Sequence, residues 1–452
     1  MTASAPNPAL HAPPLRLFLG QMLPTLLSLL AVSSTSLVDG FFVGRHVGST
    51  GLAALNLLNP LLNVFFALAL MLALGASVRA GAAVGAGRLH EASDFFTKTL
   101  LTVLVASLGI VAGGLLAAEP LFRFLGGRGE LLPLMGDYFA VILPFFVVKA
   151  QLIALYFFIR LDGSPKLVAA SFFLAALVKV VLAWLFVAQW DWALRGAALS
   201  TGLAHGLAAL LLLRYFRRGN RRLQLVRPSG AWLPVLRSAG NGIAEFVNES
   251  SVGIVAFVLN WLLLSRAGVD GVAAIAVYNY AMQIALMLYF AIAHASQTLI
   301  SQNLGAGLPQ RVRALLNLSL DFALGAGVAC ALCAFFFSRE LATLFIGEAD
   351  AATRAYAAEL LRTLWPAFAL AAPNIVIAAY FTAMHRPLQS TALAFSRSFV
   401  LPALLLLALF HLLPARNFVQ GLALAEGLTF MLSVAALMAW NPKRLLVAPV
   451  RE

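Results

Sequence analysis

The run Ser33-Ser34-Thr35-Ser36-Leu37-Val38-Asp39-Gly40 places one carboxylate inside a long apolar segment that begins near Leu15. An ionisable side chain at the centre of a membrane-spanning helix costs roughly 2.5–3.5 kcal/mol on insertion scales, so it needs a partner, a water-filled cavity or a task. Asp39 is therefore a candidate coupling-ion or proton site. An ion pair with Lys149 or Lys179 is the structural alternative, and the two roles are compatible. Ser36 and Gly40 add a stripe of small residues to the same helix, which lets a neighbouring helix or a ligand approach. A second acidic stretch, N-G-I-A-E-F-V-N-E-S-S, carries Glu245 and Glu249 four residues apart. That spacing puts both on one helical face, an electronegative patch suited to a cation or a proton relay. Solvation of Glu245 at the membrane edge is the plainer account.

Weaker candidates for lining a cavity are Asn260, Asn279, Gln283, His294, Gln297 and Asn374, with Tyr280 beside them by helical spacing. Met282 and Met287 could form an adaptable apolar wall. Lys149, Lys179, Arg362 and Arg397 also fall within apolar segments and could balance the acids. Other chemistries lack their residues. V-G-A-G and L-G-A-G have no Lys-Ser/Thr end and follow no strand, so they are not phosphate loops. H-E-A-S-D at His90 is not a zinc motif, there is no G-x-S-x-G, and Cys330 and Cys333 read as small core residues within A-C-A-L-C-A. No metal and no cofactor is expected beyond Na+ or H+ as a coupling ion. An enzyme embedded in the membrane is an alternative without a catalytic cluster to support it.

The elements that must position these residues are helices in a bilayer. Hydrophobic residues make up 62% of the 452, charged residues only 11%, and the mean hydropathy is +0.91. Soluble domains carry about 25% charged residues. Twelve apolar segments are each long enough to cross the hydrocarbon core: 15–42, 51–79, 95–118, 133–159, 166–189, 195–216, 236–264, 271–302, 313–337, 355–383, 389–412 and 417–440. Glycine, proline and polar turns separate them, Pro309, Pro387 and Pro414 among these. The formal charge of +13 does not mark a nucleic-acid binder. The basic cluster R-Y-F-R-R-G-N-R-R lies between two spans, as the positive-inside rule places it. With the N-terminus inside, 19 Lys and Arg fall on the cytoplasmic side and 8 on the other, so both termini are expected in the cytoplasm.

Sliding the chain along itself reveals a repeat. G-S-T-G-L-A-A-L-N at Gly48 falls on G-V-D-G-V-A-A-I-A at Gly268, and Gly85-Ala86-Gly87 falls on Gly305-Ala306-Gly307. Pro144 then matches Pro366, and Pro165 matches Pro387. The expected fold is all-α and polytopic, with twelve transmembrane helices in two parallel six-helix repeats. The expected organisation is a cytoplasmic tail 1–14, an N-lobe 15–216, a basic cytoplasmic linker 217–235, a C-lobe 236–440 and a cytoplasmic tail 441–452.

Several stretches together resemble the multidrug and toxic compound extrusion (MATE) family. V-D-G-F-F-V-G-R-H-V-G-S-T-G-L-A-A-L-N-L-L-N-P-L, following Pro24, is similar to that family's first-span motif. F-I-R-L-D-G-S-P-K, A-E-F-V-N-E-S-S-V-G-I and L-I-S-Q-N-L-G-A-G resemble its MepA-type branch. The resemblance spans essentially the whole chain. It implies efflux of amphipathic, often cationic, drug-like molecules in exchange for Na+ or H+ by alternating access, from a monomer in the bacterial inner membrane. It also implies that Asp39 matches the family's first-span aspartate and Glu249 its seventh-span acid. Two departures stand out: the tenth span offers Asn374 where some members carry a cation-binding Asp, and the fifth offers Lys179. A lipid-linked oligosaccharide flippase of the same superfamily is the alternative, and it requires Lys149, Lys179, Arg362 and Arg397 to gather in one cationic lumen.

Overall fold

The structure is a computed structural model that describes residues 7–346, 351–413 and 417–440. The expected turn at Pro414, the tail 441–452, the first six residues of the tail 1–14, and Arg416, Lys443, Arg444 and Arg451 lie outside the described residues. Backbone amides that cannot reach water must bond within their own segment, and these apolar runs do so as helices. Among the described residues twelve helices are long and apolar enough to span a bilayer: α1 Pro14–His46, α2 Ser49–Gly85, α3 Leu89–Leu116, α4 Leu131–Leu161, α5 Pro165–Gln189, α6 Ala193–Arg217, α7 Leu233–Gly268, α8 Asp270–Gly305, α9 Pro309–Phe336, α10 Trp365–Ala383, α11 Pro387–Leu412 and α12 Asn417–Ala439. Shorter helices lie at Pro8–His11, Ala118–Phe124, Ser338–Phe345 and Ala351–Thr363. The segment expected to cross as 355–383 is thus two helices. Trp365-Pro366 restarts the second at its first turn, where proline has no helical bond to forfeit.

The repeat is written in backbone angles as well as letters. Gly48 (φ 87°) and Gly268 (φ 64°) turn the chain between the first two helices of each half, and Gly87 (φ 77°) and Gly307 (φ 67°) between the second and third. Both pairs are 220 residues apart. Gly163 (φ 80°) and His385 (φ 55°) hold the turn before the fifth helix, 222 residues apart, although only one is glycine.

The chain divides into two compact units, one built on Leu19–Gly242 and one on Ile243 onward with Pro13–Phe18. In the first, α4 packs against α2, α3 and α6, and its most apolar stretch is 61% buried. In the second, α10 packs against α8, α9 and α12 and is 83% buried. The fourth helix of each repeat is therefore the centre of its own bundle. Within the first unit, backbones approach closely where side chains are missing. A Cβ on Gly75 would run into the Ser238 carbonyl, and one on Gly242 into Met71.

The linker after α6 is an extended strap laid along one face of α3. Ser93, Asp94, Thr97 and Lys98, spaced as neighbours on a helix, hold its backbone. Ser93 Oγ accepts from the Gln224 amide (3.2 Å), Thr97 Oγ1 from Val226 (3.1 Å) and Asp94 Oδ1 from Ser229 (2.8 Å). Lys98 Nζ donates to the carbonyls of Ser229 and Ala231 and pairs with Asp94. At the near end, the Asp162 carboxylate accepts from Tyr215 OH (2.7 Å) and the Arg222 amide (3.1 Å). Burial pushes the Asp162 carboxyl above the usual carboxylate range, and these hydrogen bonds draw it back down.

Candidate functional site

The first unit encloses a cavity of about 200 Å³. Four helices line it by their periodicity. Val32, Thr35, Ser36, Asp39 and Gly40 of α1 recur at helical spacing and share one face. Asn56, Asn59 and Asn63 do the same on α2, while α4 contributes Tyr138, Phe145, Phe146 and Lys149, and α6 contributes Thr201 and His205.

At one wall lies a buried ion pair. Lys179 of α5 is fully buried, and its three ammonium protons meet three acceptors. These are Asp39 Oδ2 at 2.6 Å, Thr201 Oγ1 at 2.6 Å and the Thr35 carbonyl at 2.8 Å. Thr201 Oγ1 also sits 3.1 Å from Asp39 Oδ2. Asp39 Oδ1 is buried and has no hydrogen-bond partner among the described residues. One carboxylate oxygen is thus held by a cation, and the other carries no hydrogen bond from the described residues. Five residues after Lys179, α5 widens into a π-helical turn at Trp184–Gln189, a distortion often found at functional sites. Lys149 lies 4.7 Å over the Phe66 ring, so its charge stays beside the cavity with its stem on apolar surface. The cavity region contains one acid, Asp39, and two lysines.

The second unit has its own partly buried charges. Arg397, in a π-helical turn of α11, pairs with Glu426 Oε1 of α12 at 3.0 Å. Asn374 of α10 donates to Glu426 Oε2 at 2.8 Å and to the Glu426 carbonyl at 3.0 Å. Alongside, Asn248 Nδ2 approaches Glu245 Oε2 at 3.4 Å and Ser398 Oγ donates to Asn248 Oδ1 at 2.6 Å. Gln297, His294 and Asn374 are buried, while Glu249 and Asn260 are half-buried.

Sequence reasoning and structure meet unevenly. Asp39, Ser36, Lys149 and Lys179 come together in the first unit, and Glu245, Asn374 and Arg397 gather in the second. Arg397, expected to balance an acid, has its ion pair with Glu426. Asn279, Tyr280 and Gln283 are exposed, Tyr280 stacking on Phe345, and Met282 and Met287 are half-buried. Gln283 and Gln297 do share a helical face, but fourteen residues put them about 21 Å apart along the axis. Thr201, His205, the three asparagines and Glu426 went unsuspected. Glu426 is a lone acid in an apolar run, the same signal that marks Asp39. The asparagines stand at i, i+3 and i+7, a pattern legible before any coordinates.

A family model described as MatE matches residues 24–185 and again residues 246–407, a displacement of 222 residues that restates the repeat. The chain is 27% identical to the FAD transporter of Shewanella oneidensis, covering 94% of this chain and 93% of that one. It is 24% identical to the multidrug export protein MepA of Staphylococcus aureus, over 74% of this chain and 73% of that one. Among solved structures it is similar to the outward-facing conformation of a multidrug resistance MATE family transporter of the MOP superfamily, with a TM-score of 0.89, 20% identity, and 99% of this chain and 100% of that one covered. A MOP superfamily transporter from Pyrococcus furiosus aligns with a TM-score of 0.88 and 19% identity, over 99% of this chain and 100% of that one. At these identities the structural likeness speaks to the fold.

Proposed function

The chain belongs to the MatE family of membrane transporters, and from that premise we propose that it exports amphipathic organic molecules in exchange for protons entering the cell. The observation that carries this reading is the Lys179–Asp39–Thr201 cluster in the cavity wall. Asp39 Oδ2 already holds a cation at hydrogen-bond distance, so a sodium ion would have to displace the Lys179 ammonium. A proton need only join Oδ1. Protonation removes one half of the ion pair and loosens the tie between α1 and α5. Cargo that engages the cavity favours the ionised, paired state, and the proton favours the other. That difference in affinity is what couples two ligands to one conformational equilibrium. The test is efflux from vesicles with a pH gradient and a sodium gradient imposed separately, using wild type and Asp39→Asn. Efflux driven by the pH gradient and lost in the variant is the expected result. Sodium-driven efflux that survives in Asp39→Asn would refute the assignment.

A second reading concerns the cargo. Asp39 and Lys149 at the cavity, with Lys179 already neutralising Asp39 and Asn56, Asn59 and Asn63 in a row, suit an anionic, hydrogen-bonding aromatic better than an organic cation. This agrees with the relative that carries FAD. Parallel assays with FAD and with ethidium separate the two. The flippase alternative finds less support, because Arg362 donates to Ser338 Oγ at 2.9 Å and Arg397 is held by Glu426.

A further inference from the structure

Between Asp191 and Glu245 the chain has no acidic residue, yet it carries seven arginines from Arg214 to Arg237. Two carboxylates lie close to this strap, and both are committed elsewhere. Asp94 holds Lys98 and the Ser229 amide, and Asp162 holds Tyr215 and the Arg222 amide. The strap's guanidinium groups make no ion pair with a protein carboxylate among the described residues. Arg218 donates to Ser164 Oγ, and Arg221 to the carbonyls of Phe216 and Arg218. Arg214, Arg217, Arg218, Arg227 and Arg237 are exposed. Large apolar side chains interleave with them: Leu213, Leu225, Trp232, Leu233 and Leu236 are each more than 40% exposed. The segment leaves one membrane span and enters the next, so it lies at headgroup depth. Tryptophan and leucine there face the acyl boundary, and arginine faces phosphate.

We propose that the strap between α6 and α7 is a binding site for anionic phospholipid headgroups. Arg217, Arg218 and Arg227 would meet phosphodiesters, and Trp232, Leu233 and Leu236 would meet the upper acyl chain. The guanidinium fork matches a phosphate bidentately. The strap's backbone is already ordered by α3, so lipid binds a formed surface and does not have to organise a loose one.

The experiment uses the full chain, exchanged from detergent into vesicles of equal phosphatidylglycerol and phosphatidylcholine, re-extracted gently, with the retained lipids quantified. Wild type is expected to retain phosphatidylglycerol in excess. Each arginine lost should cut that enrichment about fivefold. The triple variant R217Q/R218Q/R227Q should therefore approach the bulk ratio, while R217K/R218K/R227K, which keeps the charges and loses the fork, should retain only part of the enrichment. Arg123→Gln, at an exposed arginine paired with Glu119, is the control and should change nothing. All substituted side chains are exposed, and thermal unfolding checks that each variant is folded. Wild-type enrichment in the triple glutamine variant overturns the proposal. So does equal loss in the control, or full displacement of lipid by 0.1 M inorganic phosphate, which would mark a site for free anions. Lipid retention is read without transport, so the outcome is independent of the antiport reading.

Discussion

Replacing Asp39 by asparagine leaves the Lys179 ammonium buried without its counter-charge. The side chains of Lys179 and Asp39 are 1% and 12% exposed, so water does little to screen the loss. Removing one partner of a buried pair costs about 3–5 kcal/mol. Lys179 keeps Thr35 O and Thr201 Oγ1 as acceptors, and the asparagine amide oxygen can still accept, which places the cost near the lower end, at about 3 kcal/mol. Spread over the unfolding entropy of a chain of this length, that corresponds to a drop of roughly 3 °C in Tm. Lys179→Met strands the carboxylate with only the Thr201 hydroxyl and should cost more. The double variant removes both charges and should recover part of the stability, because no buried charge is left unpaired. Transport should stay absent in all three. The assay is thermal unfolding of the purified protein in detergent, run as a double-mutant cycle beside vesicle efflux. A double variant no more stable than the singles would refute the claim that the pair is energetically linked. Recovered proton-driven efflux in the double variant would refute the role given to Asp39.

Three further outcomes follow from the geometry. Asn59→Leu removes the central amide of the cavity stripe and should raise the KM for a hydrogen-bonding cargo by about tenfold, the value of one such bond at 1–1.5 kcal/mol, with proton leak unchanged as the comparison. Glu426→Gln leaves the partly buried Arg397 beside a neutral amide and should destabilise the protein by about 2 kcal/mol, with Arg397→Met restoring much of it in calorimetry. Gly75→Ala pushes a methyl group into the Ser238 carbonyl and should cost about 1–3 kcal/mol as an overpacked contact, visible as a lower yield of folded protein.

The helices, the parallel repeat and the need of Asp39 for a partner are readable in the sequence because each rests on a strong, local signal. Apolar length sets the spans. Loop glycines set the register, and Gly48 and Gly268 turn out to share a backbone conformation as well as a neighbourhood. A carboxylate in hydrocarbon announces itself through its cost. What the sequence leaves open is which charge meets which. Lys149 and Lys179 are equivalent candidates on paper, and only the packing of α5 beside α1 decides for Lys179. The candidates on α8 do not all come together for a related reason. Helical periodicity reports the face and not the depth, so Gln283 and Gln297 seemed to belong together. Glu426 was missed although the rule that singles out Asp39 applies to it unchanged. The strap is legible only in three dimensions, since its partners on α3 precede it by about 130 residues.

The two intramembrane ion pairs differ in how long synthesis takes to complete them. Arg397 and Glu426 are 29 residues apart and sit on consecutive spans. Asp39 and Lys179 are separated by 140 residues and by three intervening spans. At about 5–20 residues per second, the second unit's pair is complete roughly 1.5–6 s after its first member emerges. The first unit's takes roughly 7–28 s. Asp39 must therefore enter the membrane long before its cation exists, and the serines and threonine that precede it in α1 are the polar company it has while it waits. The residue proposed to carry protons in the mature protein is thus also one whose insertion precedes that of its partner, with three spans in between.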